Sequence, residues 1–345
     1  MEGTSLQNSA SKSMQKILIR MPNWLGDLLM AYPFISALKE RFPHSEIDLI
    51  CKANLCGLAE LFPAINQVFP FSKETHGGLF GARKFVQTHF FNKKYQYFFC
   101  LPDSFSSAWM GRFVDAERKL GYAKEARSFL LSKAFPLPEP MHRSLKYLRL
   151  LELEFGNEFE CDNLPFLAEE GSNRKSPQLD FSLLSFRSVA ASRTLSLEKA
   201  TTICKQLLST FEGQFVFTGT ASDRQYYEQL ITQITAHGIN TDRLENRAGR
   251  TDLKELLELM RQAKALLGVD SGTAHLANAC GLPAVILFGA GDEDETGGIF
   301  ETKQIRLRKK GLACAPCLSN TCQFSSNECI NDLSIEKIIH QLSSL

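Results

Sequence analysis

Residues 264–290 read KALLGVDSGTAHLANACGLPAVILFGA. Ala265 to Val269 and Ala284 to Phe288 are short, wholly apolar runs, the pattern of strands buried on both faces of a parallel sheet. Between them Asp270, Ser271, Gly272 and Thr273 form a polar turn rich in helix-capping side chains. Ala274 to Cys280 predicts a compact helix, stopped by Gly281 as a left-handed residue and by Pro283. A strand–turn–helix–strand unit of this kind puts its turn at the carboxyl end of a parallel sheet, where open α/β folds bind ligands. The unpaired N–H groups of the helix's first turn favour an anion such as a phosphate. An ordinary capped βαβ corner has the same pattern, so both readings stand on the motif alone.

Working outward, the rest of the chain repeats the alternation of short strands and helices that argues for parallel, doubly wound α/β sheets. KILIR at 16–20 predicts the first strand, MPNWLGD a loop, and Asp27 the opening of an apolar-periodic helix that Pro33 kinks or breaks before Pro43. Strands are expected at 46–51, 67–70, 95–101 and 119–122, and helices at 54–61, ending in Lys93 and Lys94, after Ser106 and over 142–154. From 156 to 178 periodicity gives way to Gly, Asn, Glu, Lys and Pro. The expected domains are therefore a disordered leader at 1–15, a first α/β domain at 16–160, a linker at 161–178 and a second α/β domain at 179–345, closed by a helix from Ile335. The second holds strands near 179–184 and 214–218, helices over 197–208, 223–237 and 252–263, and the unit at 264–290. No strong internal repeat is visible.

The chain has 345 residues, 44% hydrophobic and 22% charged, with a net charge of +1. That composition supports sizeable cores, gives no overall drive toward nucleic acid, and contains no apolar run of membrane-spanning length. The polar, Ser-rich start lacks the apolar stretch of a secretory signal. Neither GxGxxG nor GxxxxGK[ST] occurs, which disfavours an NAD-dependent oxidoreductase or a P-loop enzyme. Of ten cysteines, six are scattered among apolar neighbours and read as buried thiols. The other four, Cys314, Cys317, Cys322 and Cys329, are spaced C-x2-C-x4-C-x6-C. That spacing suits zinc or a cluster, and equally reduced thiols in a compact loop. Arg83, Lys84, Lys93, Lys94, Arg118, Lys119, Lys124 and Arg127 give the first half a set of cations for acceptor phosphates or an anionic leaflet, or simply a solvated surface.

Several segments together resemble one family. ILIRMPNWLGDLLMAYPFISALKERFP is similar to the N-terminal signature of the bacterial ADP-heptose:lipopolysaccharide heptosyltransferases, glycosyltransferase family 9. LPDSFSSAWM with Gly121 and Tyr122, NRAGRTDL, and GVDSGTAHLANACGLPAVILFG resemble further family segments in the same order. The resemblance spans roughly 16–340 and implies a GT-B fold, two Rossmann-like domains facing across a cleft with acceptor in the first and donor in the second. It implies a cytoplasmic, metal-independent, inverting glycosyltransferase that needs no cofactor. Heptose would pass from ADP-heptose to a lipid A–Kdo–heptose acceptor of the lipopolysaccharide inner core, with peripheral contact at the inner membrane.

The resemblance assigns Asp27 as catalytic base, against the alternative of a helix cap. It assigns acceptor contacts to Asn23, Trp24, Asp103, Ser104 and Ser106. Donor contacts fall to Arg193, Gly219, Thr220, Asp223, Asp270, Ser271, Gly272, Thr273 and His275. His275 reads equally as a core histidine, and Asp223 as a helix-terminal charge. One stretch departs from the family pattern: SFRSVAASRTLSLEK at 185–199 lacks the glycine-rich turn and the Trp expected there, and Arg193 stands in place of a lysine. That departure keeps a non-catalytic nucleotide-sugar-binding homologue as the alternative function.

Overall fold

The computed structural model describes residues 14–156, 158–159, 167, 180–324 and 326–345. Most of the expected leader and of the expected linker lies outside the described residues. In chain order the elements are β1 (Lys16–Arg20), α1 (Leu25–Met30), α2 (Tyr32–Arg41), β2 (Glu46–Lys52), α3 (Cys56–Ala59), β3 (Ile65–Phe71), α4 (Lys73–His76), α5 (Gly78–Phe90), β4 (Tyr95–Cys100), α6 (Phe105–Gly111), β5 (Ala116–Tyr122), β6 (Lys133–Phe135) and α7 (Arg143–Phe155). There follow β7 (Phe181–Ser185), α8 (Leu197–Thr210), β8 (Gln214–Phe217), α9 (Arg224–Ala236), β9 (Leu244–Asn246), α10 (Leu253–Gln262), β10 (Leu266–Val269), α11 (Gly272–Ala279), β11 (Ala284–Phe288), α12 (Glu293–Thr296), β12 (Gln304–Arg308), α13 (Glu328–Asn331) and α14 (Ile335–Ser343).

Contacts gather the chain into two units. The first comprises Met1–Met21, Ser36–Ala53 and Pro63–Leu137; the second comprises Pro22–Ile35, Asn54–Phe62 and Pro138–Leu345. Each unit holds a six-stranded, wholly parallel sheet. The orders are β3-β2-β1-β4-β5-β6 and β12-β11-β10-β7-β8-β9. Counted from each unit's first strand, both are the doubly wound order 3-2-1-4-5-6. The direction of winding reverses between β1 and β4 in one sheet and between β7 and β10 in the other.

Burial follows position in the sheet. Central β10 and β11 are buried at every residue, as continuous apolar runs require, whereas edge strand β3 alternates and edge strand β12 buries only Leu307. The second core joins Leu184, Phe217, Val269 and Leu287 from the strands to Ile203 and Leu207 of α8 and Ile338 and Leu342 of α14. The first packs Leu18, Ile50 and Phe98 against Phe85 and Phe90 of α5. No helix among the described residues is long and apolar enough to cross a membrane.

The expected break at Pro33 is real. Helix α1 stops at Met30, Ala31 caps it, and Pro33 occupies the first turn of α2, where its missing N–H costs no hydrogen bond. Trp24, not Asp27, is the N-cap of α1, so the helix-cap alternative for Asp27 is corrected: its carboxylate sits in the first turn. Gly281 has φ 75°, the left-handed conformation expected after α11.

Candidate active site

The turn after β10 is built by backbone. Asp270 N–H donates to Leu287 O at 3.2 Å, tying the turn to β11, and Ala274 and His275 N–H groups close onto Ser271 O at 3.0 and 3.3 Å. Gly272 and Thr273, the first two residues of α11, have no carbonyl within the helix to receive their N–H groups. Ser271 Oγ is buried without a hydrogen-bond partner, as is Arg193 Nε, which comes from a separate segment. Unpaired buried polar atoms are costly and scarce, so two side by side make this turn a candidate ligand site.

Arg193 reaches this turn from a 3₁₀ turn, Ala191–Arg193, that replaces the missing glycines of the 185–195 segment. Its Nη1 lies 3.0 Å from Asp270 Oδ2. Burial pushes the Asp270 carboxyl up from its ordinary value, and Arg193 and Arg308 pull it back. Arg308, at the end of β12, donates to the carbonyls of Gly289 and Gly291 and pairs with Glu293, which fixes the loop leaving β11.

Helix α1 packs directly on α11 within the same unit. A Cβ on Gly26 would lie 2.6 Å from His275 Cδ2, and one on Gly272 would lie 2.9 Å from Leu25 Cβ. Two glycines thus let the two helix starts touch and bring Asp27 beside His275. Burial depresses the His275 imidazole to about 4, against the upward pull of Asp27. The ring is therefore neutral at physiological pH. Arg143, at the start of α7, holds Nη1 at 3.9 Å from Asp27 Oδ1. Its neighbour His142 accepts the Ser144 N–H at Nδ1 and, with the proton on Nε2, donates to Gly297 O at 3.0 Å. A half-buried carboxylate, a guanidinium and a neutral imidazole surround the start of α1, next to the N-terminus of α11.

Residues 204–327 match the family model for glycosyltransferase family 9 (heptosyltransferase). Lipopolysaccharide heptosyltransferase 2 of Salmonella typhimurium is 28% identical over 312 residues, which span 85% of this chain and 88% of that protein. The likeness is to glycosyltransferase family 9. The solved ADP-heptose lipopolysaccharide heptosyltransferase II of Escherichia coli superposes with a TM-score of 0.77 at 22% identity, covering 96% of this chain and 98% of that one. An Escherichia coli heptosyltransferase solved with ADP gives 0.73 at 14% identity, over 96% and 99%. These matches carry the GT-B fold that the sequence motifs implied.

The other expected site residues fall into two groups. In the second unit, Asn23 is half-buried and Trp24 is 57% exposed beside Asp27. Gly219, Thr220 and Asp223 follow β8, but Asp223 is occupied: its Oδ2 accepts the Thr220 N–H and hydroxyl, both at 2.8 Å, and its Oδ1 meets Arg187 Nε at 3.2 Å. Asp223 thus has the structural engagement of a helix-start charge, one of its two expected readings.

In the first unit, Asp103, Ser104 and Ser106 follow β4 at the β1/β4 reversal. Asp103 lies 3.5 Å from Arg127 Nη2, and the Ser104 hydroxyl reaches those of Ser107 at 2.9 Å and Ser106 at 3.3 Å. Arg127 corrects the expectation of a surface cation. It is wholly buried, and its guanidinium donates to the carbonyls of Tyr122, Pro102 and Ser104.

The four clustered cysteines sit at the surface, Cys314 and Cys317 exposed and Cys322 and Cys329 half-buried. Among the described residues no group of three or more His, Cys, Asp or Glu is disposed to hold a metal ion, so the zinc expectation gains no geometric support. The segment instead braces the loop after β11 and the 3₁₀ turn at 191–193. Leu318 N–H donates to Ala290 O at 2.8 Å, and Ser192 N–H to Asn320 O at 3.1 Å. Arg143, His142, Arg187 and Arg308 were not singled out from sequence. Each makes its contact across a long sequence separation, and a lone basic residue at an element's end carries no local signal of it.

Proposed function

We propose that this chain is an inverting heptosyltransferase that moves L-glycero-D-manno-heptose from ADP-heptose onto the lipopolysaccharide inner core. The observation that carries the reading is the turn after β10. There the unpaired N–H groups of Gly272 and Thr273, the unpartnered Ser271 hydroxyl and the Arg193 guanidinium converge, with Asp27 on the adjoining helix. The donor diphosphate binds at that turn, where N–H groups and the Arg193 charge stabilise the negative charge that develops as ADP leaves. Asp27 takes the proton of the acceptor hydroxyl as its oxygen attacks the anomeric carbon and the bond to phosphate breaks. Arg143 holds the Asp27 carboxylate in place. His275, neutral, neither competes for that proton nor cancels the carboxylate charge. No step is assigned to a metal, and a lipid-linked acceptor implies work at a membrane surface.

The test is transfer from ADP-heptose to a heptosylated, Kdo-containing lipid acceptor, read by product mass. Wild type should form the product. Asp27→Asn keeps the shape but cannot take the proton, so turnover should fall by about 10²–10⁴-fold with ADP affinity little changed. Near wild-type turnover in that variant would remove Asp27 from the chemistry. ADP binding without transfer to any core acceptor would turn the reading into that of a nucleotide-sugar-binding homologue.

A further inference from the structure

The first unit carries a continuous aromatic surface that no part of the transfer chemistry uses. Phe80, near the start of α5, is 89% exposed, and Phe129 in the 3₁₀ turn Ser128–Leu130 is 74% exposed. Leu79 is half-exposed beside Phe80. Between them run the rings of α6. Phe105 lies 6.3 Å from Phe129 and stacks at 6.2 Å on Trp109, which meets Phe113 edge-on at 5.3 Å. Trp109 Nε1–H donates to Leu79 O at 3.0 Å, which fastens α6 to α5 and leaves the indole half-exposed. A soluble monomer seldom leaves two phenylalanines this bare on one contiguous apolar patch without a partner.

The charges around the patch say what covers it. Arg83 and Lys84 stand three and four residues beyond Phe80 on α5, on the same helical face, and both are exposed. Arg83 lies over the Phe113 ring at 5.9 Å. Arg112, exposed, follows Trp109 by one helical turn. Neither α5 nor α6 contains a single Asp or Glu. The adjacent carboxylate, Glu125, is spent capping α6, where its Oε2 accepts the Phe105 N–H at 2.9 Å. A whole-chain charge of only +1 makes this cation-flanked surface a local feature. Like-charged copies of such a face repel each other, whereas an anionic lipid surface attracts it. Tryptophan and phenylalanine beside arginine and lysine are the side chains that settle at the headgroup level of a bilayer.

We propose that Leu79, Phe80, Phe129 and the α6 aromatics form a docking face for an anionic bilayer, with Arg83, Lys84 and Arg112 on the headgroups. The face begins one residue beyond Ser104, so docking would hold the proposed acceptor segment at the depth of a lipid-linked sugar. The inference rests on the transfer reading only for that consequence, because docking itself is measured without turnover.

The full chain is sedimented with vesicles of phosphatidylcholine alone and of phosphatidylcholine with one-third phosphatidylglycerol. Wild type should bind the anionic vesicles and not the zwitterionic ones, and release as salt is raised. Phe80→Ser with Phe129→Ser should lower anionic-vesicle binding at least tenfold. Arg83→Gln and Lys84→Gln should each lower it about fivefold. Thermal unfolding checks that the variants fold, and ADP affinity should match wild type in all of them. Absence of wild-type binding, or equal binding by the double Phe variant, would overturn the proposal. So would wild-type self-association that the double variant abolishes without any vesicle binding. Failure of transfer to the lipid-linked acceptor, with vesicle binding intact, would count against the transfer reading and leave the docking result standing.

Discussion

His275 shows how far a single residue's chemistry was legible. Its position in D-S-G-T-A-H implied either a donor contact or a core histidine, and the sequence could not choose. The ring is packed on Gly26, a residue 249 positions away (275 − 26), because two glycines let α1 and α11 meet. Only that long-range contact explains why its imidazole is held neutral, with an affinity for protons depressed to about 4. The consequence for stability has a definite sign. As pH falls below the usual histidine value of about 6.5, the unfolded chain takes up a proton that the folded chain refuses, so folding is weakened down to about 4. His142 and His89 are depressed in the same direction and add to the loss. Wild-type stability measured by denaturant titration should therefore fall between about pH 6.5 and 4. His275→Gln should be less stable at neutral pH and lose less over that interval. An unchanged slope in the variant would show that the ring is not the group refusing the proton.

At the scale of elements, the strongly buried strands were read almost to the residue. The 264–290 unit became β10, α11 and β11 with shifts of a residue or two, since a central parallel strand is apolar at every position. The strands that escaped, β6, β9 and β12, all lie at sheet edges. Their burial patterns eiB, Bei and iieBi are too short or too mixed to announce a strand. The role of Gly272 also needed the structure. By sequence it reads as room for a ligand to approach the backbone, yet the atoms nearest a Cβ there belong to Leu25, all within about 3 Å. Gly272→Ala should accordingly cost about 1–3 kcal/mol of stability through overpacking, with weaker ADP binding as a by-product. Leu25→Ala, which removes two of the three closest atoms, should restore part of that stability in the double variant. If Gly272→Ala instead leaves stability intact and still weakens ADP binding, the glycine serves the ligand directly.

At the scale of the whole molecule, the repeat that the sequence hides is topological. Both sheets run in the same doubly wound order, although no internal similarity is visible in the residues. Short right-handed crossovers restrict how a parallel sheet can be wound, so two unrelated strings of strands and helices reach one topology. The consequence is that each unit has a reversal point where a nucleotide could bind, and topology cannot say which one does. The side chains there can. At the β1/β4 reversal the Arg127 guanidinium is buried against the carbonyls of Pro102 and Ser104, with Asp103 at its edge, so that loop is already engaged by the protein's own cation. At the β7/β10 reversal the helix start keeps two N–H groups without an intrahelical acceptor, and Ser271 Oγ and Arg193 Nε are unpartnered. ADP should therefore slow amide hydrogen exchange in Asp270 to Cys280 and around Arg193, and leave β1 to β6 as they were. At a hundredfold excess over its dissociation constant, ADP should add about 2.7 kcal/mol to the stability of the unit that binds it. Arg193→Ala should shrink both effects, since it removes the guanidinium paired with Asp270. Protection appearing at the ends of β1 and β4 instead would assign the nucleotide to the first unit, and with it the roles of donor and acceptor would exchange.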